Sequence, residues 1–486
     1  MARLKFVDTT VRDAHQCLWA TRMTTAMMLP IAERLDRAGF SHIDLMGAVL
    51  ADACVRYLKE NPWERIRLMR VRVRNTRLCG WVRSKSLISF DVLPDDIVRL
   101  WIERNIANGI GAIAAFDGNH DLDNVIDSLK YIKKLGAEAV GVLPYSLSPV
   151  HTDELFVAST KRQVAEAGID TMMLKDSGGL LTVDRIRTLV PAVKAALGAI
   201  PLEIHSHCMT GQAPLVYHEA ARLGADVVHT SIAPLANGLA QPDTQTMLRN
   251  LEEMGFETSL DRRLIDEISQ HFAAVAAAFD KPVGVPLPYD AFHYDHQVPG
   301  GMATNFLFML EQVGMRDKHA EVLRECARVR KEFGYPMLIT PYAQLVGTQA
   351  VLNVVHGERY RSVPDEVKKY ALGYYGKPLA PVDPDVLDRI VENGSHKIAV
   401  QPTPPEPALP ALRRKYPNAS DDERLLRFMF SGSYVDDMLA AGPMPTELSL
   451  RSPLEQLIAQ ISERPKIRHV RIETAGTRLE VRKASS

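Results

Sequence analysis

The chain has 486 residues, 46% hydrophobic and 24% charged, with a formal net charge of −1. That balance suits two or three domains with sizeable cores and gives no general attraction to nucleic acid or to a membrane. No apolar run approaches the roughly 18–20 residues of a membrane segment, the start "MARLKFVDTTVRD" meets charge too early for a secretory leader, and five cysteines without CxxC spacing argue against a disulfide framework or a zinc ribbon; a cytoplasmic protein is expected.

From residue 3 to about 235, short apolar runs alternate with helical stretches. In order they are "LKFVDTT", "HIDLMG", "RLCGWVR", "GAIAAFD", "AVGVLPYS", "DTMMLKD", "PLEIHSH" and "DVVHTSI". Between them lie amphipathic segments such as "MMLPIAERLDRAGF" and "QAPLVYHEAARLGA", each closing near a glycine. Alternation of this kind predicts parallel βαβ units, and eight of them predict a (β/α)8 TIM barrel over residues 1–260. A doubly wound sheet is the lesser alternative, because no glycine-rich dinucleotide fingerprint follows the first run. The basic run "RIRLMRVRVRNTR" (65–77), with six arginines, reads as a solvated helix end and loop rather than an RNA patch.

Residues 261–400 change to helical texture, for example "LDRRLIDEISQHFAAVAAAF" and "KHAEVLRECARVRKEFG", and predict a helical extension. Residues 401–452 read as a proline-rich linker with helices, introduced by "VQPTPPEPALPALRRKYP" (400–417). Residues 453–486 read as a small α+β tail, with a helix at "PLEQLIAQISE" and a hairpin from "HVRIET" and "RLEVRK".

In such a barrel the reactive residues sit where strands end and βα loops begin. Those positions hold Asp13, Arg83, Lys175-Asp176, and the pair His205 and His207 in "EIHSHCMTG" (203–211). Residues i and i+2 of a strand share a face, so both imidazoles can reach one ion. Two imidazoles plus the Asp13 carboxylate form a common divalent-metal set. Lys175 has two readings. Desolvation lowers a lysine pKa and yields a neutral amine able to form a carbamate with CO2, an oxygen ligand. Alternatively, the ammonium pairs with Asp176 or Asp13.

Several stretches together carry a resemblance: "FVDTTVRDAHQCLWATRM" (6–23), "NPWERIR" (61–67), "SPVHTDE" (148–154), "LKDSGGLLT" (174–182), "IHSHCMTG" (204–211), "HQVPGGMATN" (296–305) and "ITPYAQLVGTQAVLNVVHGERY" (339–360). Over roughly residues 4–400 the chain resembles the carboxyltransferase component of biotin-dependent enzymes. That family includes the carboxyltransferase domain of pyruvate carboxylase, the oxaloacetate decarboxylase α subunit and the transcarboxylase 5S subunit. The resemblance implies a metal-bearing barrel with a helical funnel over its mouth. It makes Asp13, His205 and His207 ligands of Zn2+, Mn2+ or Co2+, with Lys175 as N6-carboxylysine the fourth. It assigns Arg12 and Gln16 to the keto-acid and biotin oxygens, Arg83 to the substrate carboxylate, and Thr340 to proton transfer between the biotin nitrogen and the substrate methyl. Carboxybiotin would release CO2 in a closed site, and an acceptor enolate would capture it. Pyruvate and oxaloacetate are the implied small-acid pair.

Three departures leave the acceptor open. Phe90 stands where the family places a substrate-binding tyrosine; "IDLMGAVL" (43–50) replaces a Trp-Gly-Gly motif; and Ala114 replaces an arginine before Phe-Asp. All three are expected to face the pocket. The Ala-Met-Lys-Met turn of a biotin carrier does not occur in the sequence. A separate biotin carrier protein and a biotin carboxylase subunit are therefore expected as partners, with the tail as a docking element and a homodimer as the oligomer. An isopropylmalate synthase or hydroxymethylglutaryl-CoA lyase-like enzyme is disfavoured by "RDAHQ", the Lys175 motif and "TPYAQLVGTQAV". A catalytically silent scaffold is disfavoured by the retained ligand set and Thr340.

Overall fold

Eight strands, β1 (Lys5–Asp8), β2 (His42–Met46), β3 (Arg77–Arg83), β4 (Ala112–Phe116), β5 (Glu138–Pro144), β6 (Thr171–Asp176), β7 (Leu202–Ser206) and β8 (Val227–Thr230), pair in parallel in chain order. β8 closes onto β1 with Lys5 opposite Val227 and Asp8 opposite Thr230. The expected (β/α)8 barrel is present. This computed structural model describes residues 3–450 except 431, and in the tail 457, 458, 461, 464, 469–474 and 477–482; side chains at 300, 301, 303–305, 472–474, 477–479 and 481 are outside the description.

β2, β6 and β7 are buried throughout, and each mixes apolar residues with buried polar ones such as Asp44, Lys175 and His205. The helices between them start at polar caps. Asn61 accepts from Trp63 N at 3.0 Å before the helix Pro62–Arg72, and Thr182 accepts from Arg185 N at 3.2 Å before Val183–Leu197.

The barrel interior is divided. Trp81, Ala112, Ala114, Val140, Val142 and Met173 form an apolar cluster on the β3–β6 side. Asp44, Glu203, His205 and His229 bring buried polar groups in from β2, β7 and β8. A cavity of about 10 Å3 lies between the two halves, space for at most about one water. The barrel is thus a packed core, and chemistry is confined to its mouth.

The main apolar cluster lies between strands and surrounding helices. It continues through the helix Arg262–Ala278, whose Leu264, Ile265, Ile268, Phe272 and Val275 are buried in it. Packing therefore carries the barrel past the residue-260 boundary that sequence texture suggests, because this helix is amphipathic and turns its apolar face to the barrel. The second half of the proline-rich stretch forms the helix Leu409–Lys415, followed by Asp421–Met429 and Tyr434–Ala440. Leu425, Leu426, Phe430, Val435 and Met438 join the barrel's cluster. Asp422 fixes this flank, accepting from Arg67, Arg104 and Asn108 at 3.2, 2.6 and 3.1 Å.

A second core, including Phe306, Leu310, Val322, Val329, Phe333, Val346 and Tyr370, builds the helical extension. Its central helix Tyr342–His356 carries Gly347, where an added Cβ would lie 2.0 Å from the Phe306 ring. The extension sits on the loops that follow β4, β5 and β6. Met337 N donates to Gly118 O at 3.2 Å, Arg330 Nη2 to Ser146 Oγ at 2.8 Å, and the His293 ring contacts Gly178 O at 2.7 Å. In the tail, β9 (His469–Thr474) and β10 (Thr477–Arg482) pair antiparallel as the alternation predicts. The helix expected at "PLEQLIAQISE" falls largely outside the described residues. All five cysteines are free, and among the described residues no helix is long and apolar enough to cross a membrane.

One arginine of the basic run departs from the solvated reading. Arg65 is completely buried, with Nη2 2.6 Å from Glu60 Oε2 and Nε 2.9 Å from Thr25 Oγ1. Removing one partner of a buried pair leaves the other charge uncompensated. Glu60→Ala is therefore expected to destabilise the barrel by about 3–5 kcal/mol, read from chemical denaturation; a loss below about 1 kcal/mol, typical of an exposed pair, would show that Arg65 finds solvent.

Candidate active site

β1 runs directly into a π-helical turn, Thr10–Ala14, which carries Arg12 and Asp13, both buried. Such a turn re-aims side chains that an α-helical turn would point elsewhere. Thr10 Oγ1 anchors it, donating to Asp8 at 2.5 Å and accepting from Ile232 N at 2.8 Å. Across the barrel, the register of β6 with β7 sets Lys175 beside His205.

These elements bring the predicted ligands together. Asp13 Oδ2 lies 3.0 Å from His205 Nε2 and 3.4 Å from His207 Nε2, and the two imidazole nitrogens are 3.3 Å apart. A tetrahedral site with metal–ligand bonds of about 2.1 Å has edges of about 3.4 Å, so the three atoms fit one ion. The side-chain nitrogen of Gln241 shows the same convergence. It stands 3.0 Å from Asp13 Oδ2, 3.2 Å from His205 Nε2 and 3.1 Å from His207 Nε2, donating where a cation would attract all three.

The tautomers agree with this. His207 Nδ1 is 2.7 Å from the carbonyl of Leu239, which can only accept, so Nδ1 carries a proton and Nε2 is the nitrogen turned toward the cluster. Burial opposes the charge of Asp13, but Arg12 and Lys175 hold its carboxyl well below the usual carboxylate range. Burial pushes His205 well below the ordinary histidine value, with Lys175 adding to the effect. For His207 burial is outweighed by Cys17 and Asp13, and its pKa is pushed up to about 10.

Lys175 faces Asp13 rather than Asp176. Its Nζ is 3.8 Å from Asp13 Oδ2, 3.1 Å from His205 Nε2 and 4.6 Å from the Trp81 ring centre. Asp176 accepts instead from Leu180 N, Leu181 N and Ser206 Oγ at 2.9, 2.9 and 2.7 Å. Burial brings the Lys175 ammonium below its ordinary range against the pull of Asp13, the direction a carbamate-forming amine requires.

Arg12 is a strut. Its Nε donates to Asp44 Oδ2 at 2.7 Å, Nη1 reaches Asp13 Oδ1 at 3.2 Å, and the guanidinium stacks 4.7 Å from the Trp81 ring centre. Nη2 lies 2.7 Å from Asp44 Oδ2 but makes no hydrogen bond. Trp81 Nε1 donates to Asp44 Oδ1 at 2.7 Å, completing the brace. Gln16 is half-buried on the following short helix, His15–Leu18.

Arg83 belongs to a second constellation. It is buried, donates from Nη2 to Ser89 O at 2.7 Å, leaves Nε without a partner, and pairs with no carboxylate among the described residues. Burial lowers its pKa to about 10. Burial also raises Asp117 to about 6. The Tyr342 ring lies against Gly118, so the extension roofs this corner. Thr340, two residues before Tyr342, is exposed. Phe90 is 36% exposed on the loop after β3.

Several residues of the site carry no motif in the sequence. Gln241, Glu203, His229, Asp44, Trp81 and Cys17 all touch the predicted residues or their immediate supports. Glu203 alone leaves a signal, lying two positions before His205 on the same strand face. Cys17 lies one helical turn from Asp13 in the same segment, and the rest meet the centre only through barrel closure.

The family described as a conserved carboxylase domain matches residues 294–438, and the HMGL-like family matches residues 112–271. A pyruvate carboxylase subunit of Methanocaldococcus jannaschii is 42% identical, covering 83% of this chain and 71% of that protein. The 2-oxoglutarate carboxylase large subunit of Hydrogenobacter thermophilus is 34% identical, over 81% of this chain and 60% of that protein. Among solved structures, the carboxyl transferase domain of Rhizobium etli pyruvate carboxylase with oxamate and biotin superposes with a TM-score of 0.82 at 25% identity, over 91% of this chain and 79% of that one.

The convergent set is expected to bind about one divalent ion per chain, and His207→Ala to abolish that binding. Because His207 titrates at about 10, an ion binding at neutral pH must displace its proton. Affinity for Zn2+ should then rise by at least about tenfold per pH unit between about pH 6 and 8. Calorimetry in buffers of different ionisation enthalpy measures the released proton; an affinity independent of pH would contradict the assignment.

Proposed function

This chain belongs to the carboxyltransferase family of biotin-dependent carboxylases, and from that premise we propose that it moves a carboxyl group between carrier-borne biotin and a small keto acid. The observation that carries the reading is the convergence of Asp13, His205 and His207 on one point at the barrel mouth. Those residues would hold a Zn2+, Mn2+ or Co2+ ion, with Lys175 a fourth ligand as N6-carboxylysine. When bound, the ion supplies positive charge beside the oxygen on which the acceptor's negative charge develops.

The remaining roles fall to the chain itself. Arg83 has a buried, unpaired N–H and a planar fork suited to a carboxylate, and it anchors the acceptor acid. Arg12 and Gln16 address the keto oxygen and the ureido oxygen of biotin. Thr340 Oγ1 gives its proton to the ureido nitrogen as the carboxyl group leaves and recovers one from the acceptor methyl carbon. The extension excludes water from the mouth, where CO2 or enolate would otherwise be lost.

Pyruvate and oxaloacetate are the first acceptor pair to consider. A second reading, a different acid, is favoured by the apolar half of the interior: Trp81 and Ala114 pack together where the family resemblance places an arginine. Biotin would arrive on a separate carrier, charged by a biotin carboxylase subunit, with the β9–β10 hairpin as a docking element and the chain itself a homodimer. The test is exchange of labelled carboxyl between oxaloacetate and each candidate keto acid, with a biotinylated carrier present. Exchange into pyruvate or 2-oxoglutarate supports transfer and names the acceptor. Exchange into neither, together with no labelled transfer from the carboxylated carrier to any keto acid, would overturn the proposal.

Thr340→Ala should lower that exchange by at least about 100-fold, the scale of general acid–base catalysis, with metal content unchanged, whereas Thr340→Ser should retain part of it. Arg83→Lys should chiefly raise KM for the acceptor, since an ammonium lacks the fork. Normal exchange in Thr340→Ala would remove the proton-transfer role.

A further inference from the structure

His205 is supported differently from its partner. Where His207 leans on a backbone carbonyl, His205 turns its Nδ1 inward, 3.2 Å from Nδ1 of His229 on β8. The far nitrogen of His229, Nε2, lies 2.8 Å from Glu203 Oε2, and the other Glu203 oxygen accepts from Thr171 Oγ1 at 3.2 Å. Glu203, His205 and His229 are 4%, 0% and 2% exposed, so water does not substitute for any of these bonds.

Only one arrangement of neutral rings satisfies the whole chain. A carboxylate accepts, so His229 carries its proton on Nε2 and leaves Nδ1 bare. His205 must then donate from Nδ1, and its Nε2 lone pair is left facing Asp13 and His207. The reverse tautomer of His205 would set two bare nitrogens against each other at Nδ1 and aim an N–H into the ligand cluster. Strand geometry imposes the relay: Glu203 and His205 are i and i+2 on β7, and β8 runs alongside with His229 on the inward face.

We infer that His229 and Glu203 are positioning residues for the metal centre, a two-step hydrogen-bond relay that fixes which nitrogen of His205 is available as a ligand. This rests on the metal reading of Asp13, His205 and His207. Neither residue touches the ligand cluster's open side; both act through the His205 ring. Outer partners of metal-bound histidines typically contribute about 10–100-fold to metal affinity, and a relay through a second imidazole is held to the same scale.

The experiment compares Zn2+ affinity, by competition with a chromophoric chelator, in the purified full chain and three variants. His229→Leu removes the acceptor for His205 Nδ1 and should weaken Zn2+ binding by about 10–100-fold. His229→Asn places an amide oxygen near the lost Nδ1 and should restore affinity to within a few-fold of the parent. Glu203→Gln keeps the shape but removes the charge that sets the His229 tautomer, and should weaken binding by about tenfold. Thermal stability without metal is recorded for each, because a merely structural role would lower it without separating Leu from Asn at His229. Parent affinity in both His229→Leu and Glu203→Gln would overturn the relay while leaving the metal centre intact. Should His229→Leu fail to fold, the Glu203→Gln result decides. A parent chain that binds no Zn2+ would instead remove the metal reading, and the relay with it.

Discussion

Three electron-rich atoms, Asp13 Oδ2, His205 Nε2 and His207 Nε2, are held within 3.0–3.4 Å of one another in a buried barrel mouth. Groups so placed stay together only while protons or a cation stand among them, and burial removes the water that would otherwise serve. Much of the surrounding architecture follows from keeping that arrangement. The π-turn after β1 aims Asp13 across the mouth, the Leu239 carbonyl and His229 orient the two imidazoles, and Arg12, braced by Asp44 and Trp81, balances the carboxylate. A structural ion pair alone would not require both imidazoles to turn Nε2 toward the same point.

The divided interior of the barrel extends the same logic. Polar side chains enter along β2, β7 and β8, where they reach the ligand cluster, while Trp81, Ala114, Val142 and Met173 fill the remainder without polar atoms to satisfy beyond the indole N–H. The extension closes the opposite side of the mouth over Gly118 and brings Tyr342 to the corner that holds Arg83. A buried arginine with an unpaired N–H is expensive unless an anion completes it. The two constellations, one that attracts a cation and one that attracts a carboxylate, suit the carboxyl chemistry of the family.

The fold is readable from the sequence because β/α alternation is a local signal: all eight apolar runs become barrel strands in the expected order. The convergence of Asp13, His205 and His207 is readable because His-x-His lies on one strand and strand ends meet at the mouth. What escapes depends on barrel closure. Gln241 and His229 lie in segments with no motif of their own, 36 and 24 residues from His205, and only the β7–β8–β1 pairing brings them to the centre. Arg65 looks like one charge among six because Glu60 and Thr25 surround it only after the helix Pro62–Arg72 packs. At residue 260 composition changes, while the apolar face of the next helix packs into the barrel's cluster.

Cys17 offers the sharpest discrimination among ligand sets, because its sulfur lies only 4.0 Å from Asp13 Oδ1 and 3.8 Å from His207 Nδ1. X-ray absorption at the zinc edge of the Zn2+-loaded chain resolves nitrogen and oxygen donors at about 2.0–2.1 Å from sulfur at about 2.3 Å. Two imidazole nitrogens with the remaining donors oxygen are expected, and an unchanged spectrum in Cys17→Ser. A sulfur shell, or a spectrum with fewer than two imidazoles, would contradict a metal centre built on Asp13, His205 and His207.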